Sequence, residues 1–145
     1  MNHINLIRKV RAHARDFNDT IFRKEDITMF LNEAIDRIIQ VLPALNNMPY
    51  LVSENDIVEY IPREYVHLLA NYSVARLYSQ DERHYEATTF MNEFELKLAE
   101  LKEKIENGEV EIIDPHTGDV LDTSIAIDYV TDNYFFNRRG RVEGV

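Results

Sequence analysis

The stretch ATTFMNEFELKLAELKEKI, residues 87 to 105, decides the fold. Ala87, Met91, Phe94, Leu98, Leu101 and Ile105 step by four, three, four, three and four, a 3.5-residue period. That spacing lays a narrow apolar seam along one side of a helix, and such a seam needs other helices to cover it. Glu93 with Lys97, and Glu100 with Lys104, stand four apart in the favourable order on other faces. Asn107 and Gly108 end the pattern, with Gly108 suited to a left-handed cap.

Upstream, three more helices are expected. In residues 4 to 17, Ile7, Val10, Ala14 and Phe17 recur at helical spacing, with Arg8, Arg11 and Arg15 as a basic flank. Asn18, Asp19 and Thr20 favour a turn. A second helix over 25 to 42 carries Ile27, Leu31, Ala34 and Ile38 on one face, with Glu25 and Asp26 in its first turn and Pro43 past its last. Residues 46 to 62, NNMPYLVSENDIVEYIP, hold two prolines and turn residues at 53 to 56, and read as an extended crossover. A third helix opens at Pro62 and runs to about Ser79. Its apolar residues occupy more than one face, which places it centrally in the bundle.

After Gly108 the period changes. EVEIIDPHTGDVLD has two short β-prone runs around a Pro-x-x-Gly turn, which predicts a small hairpin. The remainder alternates acids with large aromatics and closes on three arginines. The expected architecture is therefore mainly α: a four-helix bundle domain over residues 1–107, a β-hairpin over 108–123 and an extended C-terminal arm over 124–145.

Composition limits the chemistry. At 145 residues, 45% of them hydrophobic, the chain can close a core without disulfides or metal. No run nears the roughly 18 apolar residues of a membrane span, and MNHINLIRKV lacks a signal-peptide core, so no membrane role and no secretion are expected. The absence of cysteine excludes disulfides, thiolate metal sites and cysteine nucleophiles. The net charge of −10 is uneven: residues 1 to 24 carry six cations against two acids, residues 25 to 62 one against seven, and residues 138 to 145 three against one. An acidic body between basic ends repels phosphate over most of its surface.

The segment LYSQDERHYEATTF, residues 77 to 90, gathers His84, Glu82, Glu86 and Asp81 and invites a metal or acid–base reading. Residues two apart on a helix point in different directions, so His84 and Glu86 do not share a face. The competing reading is a corner in which Ser79 or Asp81 caps the fourth helix, with Ser79-x-x-Glu82 as a capping box and Arg83 and His84 at the seam. His3, His13, His67 and His116 are scattered singly, beside no motif that carries catalysis. No catalytic residue, metal site or cofactor is expected, and the chain does not read as an enzyme. Tyr129, Tyr134, Phe135 and Phe136, followed by Arg138, Arg139 and Arg141, are residue types that concentrate at interface centres. Together with Arg8, Arg11 and Arg15 they are the candidate interface residues.

Two stretches resemble a known family. ARDFNDTIFRKEDITMFLNEAIDRIIQVLPAL, residues 14 to 45, has a short first helix ending near Asn18 and Asp19, then Phe22, a helix carrying LNEA from Leu31 to Ala34, and Pro43. LANYSVARLYSQDERHYEATTFMNEFELKLAELKEKI, residues 69 to 105, has a long helix, an acidic corner and a helix with NEFE leading into the seam. Together they cover about residues 4 to 106 and look like the head-to-tail connector, or adaptor, proteins of tailed bacteriophages. Arg23 and Lys24 depart from the family's usual small capping residue. The resemblance implies a structural virion protein of the neck, assembled in the host cytoplasm as a homo-oligomeric ring, typically twelvefold. Its implied partners are the portal protein above and a tail or stopper protein below, with a C-terminal arm for docking and DNA passing through the lumen without specific binding. The alternative from a different class is a small helical DNA-binding regulator that uses the basic first helix.

Overall fold

In a computed structural model, described over residues 1–16 and 20–122, four α-helices form the body: α1 (His3–His13), α2 (Lys24–Val41), α3 (His67–Gln80) and α4 (His84–Glu106). The mainly helical expectation holds. The helices α1, α2 and α4 all pack on α3, which is therefore the central element. Residues 68 to 71, 73 to 75, 77 and 78 of α3 are buried, so apolar residues on several faces do mark the middle of the bundle. Its buried polar residues also find partners. The Asn71 side-chain amide donates to Glu93 at 3.1 Å and the Ser73 hydroxyl to the Ile27 carbonyl at 3.3 Å.

Five of the six seam residues of α4 are buried, and Met91 alone is half-exposed. Phe94 sits at its centre, edge-on to the Tyr72 ring at 5.2 Å between centroids. Of the two expected ion pairs, Glu100 with Lys104 is present at 3.7 Å. Lys97 instead meets Glu100 at 3.6 Å, three residues on, because Glu93 is turned toward Asn71. Arg37 of α2 forks onto Glu95 of α4 through two bonds of 3.2 and 3.0 Å.

Helix ends account for most differences from the expected boundaries. The chain past Pro62 first makes a 3₁₀ turn (Arg63–Tyr65), and α3 begins only at His67. That tighter turn carries Tyr65 into the bundle, where its hydroxyl donates to Glu100 at 2.6 Å. The expected capping box at the α3–α4 corner is not formed. Ser79 lies in the last turn of α3 and its carbonyl accepts from the Glu82 N–H, while Arg83 begins α4 with no side-chain cap. The corner is instead a C-terminal cap of α3: Glu82 takes φ +60°, and the Arg83 N–H reaches back to the Tyr78 carbonyl at 2.9 Å. The same double-bonded closure ends α1, with Arg15 at φ +60°, and α4, with Gly108 at φ +77°. The start of α2, where Arg23 and Lys24 replace a small capping residue, likewise has no side-chain cap.

Beyond α4 the chain doubles back around Gly118, at φ +77° as the turn demands. A single antiparallel bridge joins Ile113 and Val120, and no longer ladder forms among the described residues. Ile112 from this segment is buried in the main core. The arm proper, 124–145, and Phe17, Asn18 and Asp19 lie outside the described residues.

Candidate docking platform

Two clusters use polar groups in ways that periodicity could not reveal. The first closes the turn between α1 and α2. Asp16 is 1% exposed, and its carboxylate accepts backbone N–H bonds from Thr20, Ile21 and Phe22, each 3.0 Å long. Arg11 donates to the same carboxylate at 2.7 Å and to the Phe22 carbonyl at 2.8 Å. Burial opposes the charge on Asp16, but the backbone bonds from Phe22, Ile21 and Thr20, with Arg11 beside them, outweigh it and hold the carboxyl below the ordinary aspartate range.

This changes the expected basic stripe. Arg11, with its side chain 12% exposed, ties the turn together from inside. Arg8 and Arg15 are exposed, and Arg8 lies 3.4 Å from the Asn5 side chain. The structure thus separates Arg11 from the two arginines with which it was grouped. The other candidate interface residues, Tyr129, Tyr134, Phe135, Phe136, Arg138, Arg139 and Arg141, lie outside the described residues.

The second cluster builds the crossover, residues 46 to 62, into a fixed platform. Asn32 of α2 acts as a strand edge: its amide donates to the Leu51 carbonyl at 3.0 Å and its oxygen accepts the Leu51 N–H at 2.8 Å. The expected turn at 53 to 56 is present, closed by the Asp56 N–H on the Ser53 carbonyl, and the Asp56 carboxylate accepts from the N–H groups of Val52 and Ser53 at 2.7 Å. Those two bonds lower the Asp56 pKa.

The start of α1 completes the platform. Orphaned N–H groups of its first turn donate to the crossover carbonyls, His3 to Asp56 at 2.7 Å and Ile4 to Glu54 at 3.2 Å. The His3 ring is 1% exposed, with Nδ1 donating to the Ser53 carbonyl and Nε2 paired with the Thr28 hydroxyl, both at 2.9 Å. Lys24 holds Glu54 at 2.7 Å and lowers its pKa. The Tyr50 hydroxyl donates to Asp36 at 2.6 Å, which raises the tyrosine's pKa.

This framework leaves large apolar side chains exposed, interleaved with exposed polar residues such as Ser53, Glu54 and Asn55. Met29, Tyr50, Val52 and Ile57 are exposed, as are Met1 and Ile113 at one end. They line three shallow grooves that run end to end, the first two sharing Leu51 and the last two sharing Glu59. The α3–α4 corner offers less. Glu86 pairs with Arg83 at 2.9 Å, Arg83 lies over the Tyr78 ring at 4.7 Å, and His84 is exposed. Among the described residues no three histidine or acidic side chains converge as metal ligands, and no helix is long and apolar enough to cross a membrane.

Sequence reasoning missed the platform because its signals are single polar residues. Asn32 in mid-helix, a poor helix former, was the one available clue.

No protein-family model, no curated protein and no solved structure matches this chain.

Proposed function

We propose that this protein is a structural assembly component, a head-to-tail connector that forms a ring between the portal and the tail of a bacteriophage and extends the DNA channel. The observation that carries the assembly part of this reading is the exposed apolar belt on the crossover, held by backbone N–H groups of α1 and by the Asn32 side chain of α2. A cluster of exposed apolar side chains held on a hydrogen-bonded frame suits a lasting contact with another protein. The ring, the portal and the phage rest on the resemblance of residues 14–45 and 69–105 to connector proteins.

In a ring, a subunit charge of −10 is multiplied by the copy number. Acids lining the lumen would repel packaged DNA over about a Debye length and keep it from adhering. The regulator reading loses support, because Arg11 of the basic stripe is committed to Asp16.

Electron microscopy of the purified protein, alone and mixed with a portal ring, tests the proposal. Closed rings with a central channel, stacking on the portal, are expected. A monomer that ignores the portal but binds duplex DNA at low salt, with a steep salt slope that disappears in an Arg8→Ala/Arg15→Ala variant, would establish the regulator instead.

A further inference from the structure

We infer that the apolar belt on the crossover is the receiving surface for the C-terminal segment, residues 124 to 141, of a second copy of this chain. The inference deepens the connector reading and rests on it for one element, that the segment crosses to a neighbour.

Two properties of the belt match that segment independently. The first is polarity. Val52 is 83% exposed and Ile57 57% exposed, and beside them the Leu51 and Val52 N–H groups are already bonded, to the Asn32 and Asp56 side chains. The segment supplies matching bulk in Tyr129, Tyr134, Phe135 and Phe136. Aromatics of this kind anchor in shallow apolar grooves at low conformational cost, having only two side-chain torsions to fix.

The second property is charge. Acids outnumber cations along the grooves: Glu25 beside Met29 and Val52, Asp56 and Glu59 beside Ile57, and Glu111 beside Ile113, against Lys24 and Arg63. Glu25, Glu59 and Glu111 are all exposed. The segment ends in Arg138, Arg139 and Arg141, whose guanidiniums would face those carboxylates once the aromatics are seated. An apolar floor with an acidic border thus meets an aromatic run with a basic tip.

Length permits the crossing. Asp122 is the last described residue, and the 12 residues from there to Tyr134 can span up to about 40 Å, beyond the reach of a single small domain. Belt and segment are different parts of one chain. Their pairing between copies is head-to-tail, the type of contact that closes into a ring when its rotation permits.

The lack of cysteine makes the test direct. Chains carrying Ile57→Cys are mixed with chains carrying Phe135→Cys, or Tyr129→Cys, under a mild oxidant. Tyr85→Cys, which is 83% exposed on α4 and off the belt, sets the collisional background. A mixed disulfide between two chains should form at least about tenfold faster with Ile57→Cys than with Tyr85→Cys, as a specific contact requires. In the Ile57→Cys/Phe135→Cys double variant, a ladder of covalent oligomers is expected.

If the double variant instead closes on itself as a monomer, the segment lies over its own belt and the inference is wrong. It is equally wrong if no preferential cross-link forms while microscopy shows rings, an outcome that leaves the connector reading intact. Cross-linked open chains without rings would support the belt and overturn the connector. As a second variant, Val52→Asp places a charge on an exposed side chain and should raise the concentration needed for assembly by about tenfold while leaving the helical circular dichroism unchanged.

Discussion

Asp16 is the residue on which the α1–α2 turn depends, since four donors converge on one buried carboxylate. Removing the charge takes the ionic partner at 2.7 Å away from Arg11 and leaves at least one backbone N–H poorly partnered. Asp16→Asn should therefore cost about 3 kcal/mol in urea unfolding at neutral pH. The pH dependence follows from the direction of the shift. The folded carboxyl titrates below the ordinary range, so in acid the unfolded chain takes up the proton first. The stability it contributes is complete above about pH 5 and is lost as the pH falls through the lowered folded value. The stability curve of Asp16→Asn should accordingly be flatter than that of the unmodified chain below about pH 4, as a urea series at successive pH values would record. The left-handed caps allow a paired test. Glu82 and Gly108 occupy the same position of the same closure, and only one is glycine. Glu82→Gly should stabilise by about 0.5 kcal/mol, because relief of strain outweighs the added freedom of the unfolded chain. Gly108→Ala, with open space around the new methyl but φ at +77°, should destabilise by about 1 kcal/mol. Opposite shifts in melting temperature would display the common backbone demand.

At the scale of elements, α4 is bound by its seam and the crossover by its polar latches, and the two respond differently to substitution. Phe94→Ala removes a fully buried ring from the α3–α4 contact and should cost about 3–5 kcal/mol, whereas Met91→Ala, half-exposed on the same seam, should cost under about 1 kcal/mol. Asn32→Ala breaks two bonds to Leu51 but installs a better helix former, so the net loss should be only about 1 kcal/mol. The diagnostic is local. Amide exchange at Leu51 should accelerate much more than exchange in α3, because the crossover can open without the bundle. Uniform acceleration would mean that the platform and the bundle are one cooperative unit.

For the whole molecule, the buried side chains of the described core run from Leu6 to Ile112. A chain ending at Asp122 should keep its helical circular dichroism and nearly all of its melting temperature. It should lose assembly, measured by analytical ultracentrifugation, because Tyr129, Tyr134, Phe135 and Phe136 go with it. Burying three such rings supplies on the order of 5 kcal/mol before ordering costs, enough to decide association. Unfolding of the truncated monomer would place those aromatics in the bundle's own core.

The helical class, the four helix bodies, the seam of α4 and the central place of α3 follow from the sequence alone, because each rests on a repeating apolar pattern that local geometry translates directly into a face. The left-handed positions at Gly108 and Gly118 were equally legible, since glycine marks them. The remaining features belong to the tertiary structure. Arg11 reads as one of three surface cations until the chain folds it against Asp16, and Glu82 carries no sign of its positive φ. Ser79 and Glu82 fit a capping box by spacing, yet the α3 terminus claims both backbones first. Asn32, His3 and Asp56 combine only when α1 and α2 bring them to the crossover. Single polar residues have no period, so their roles are fixed by partners distant in sequence, and only the folded chain supplies those partners.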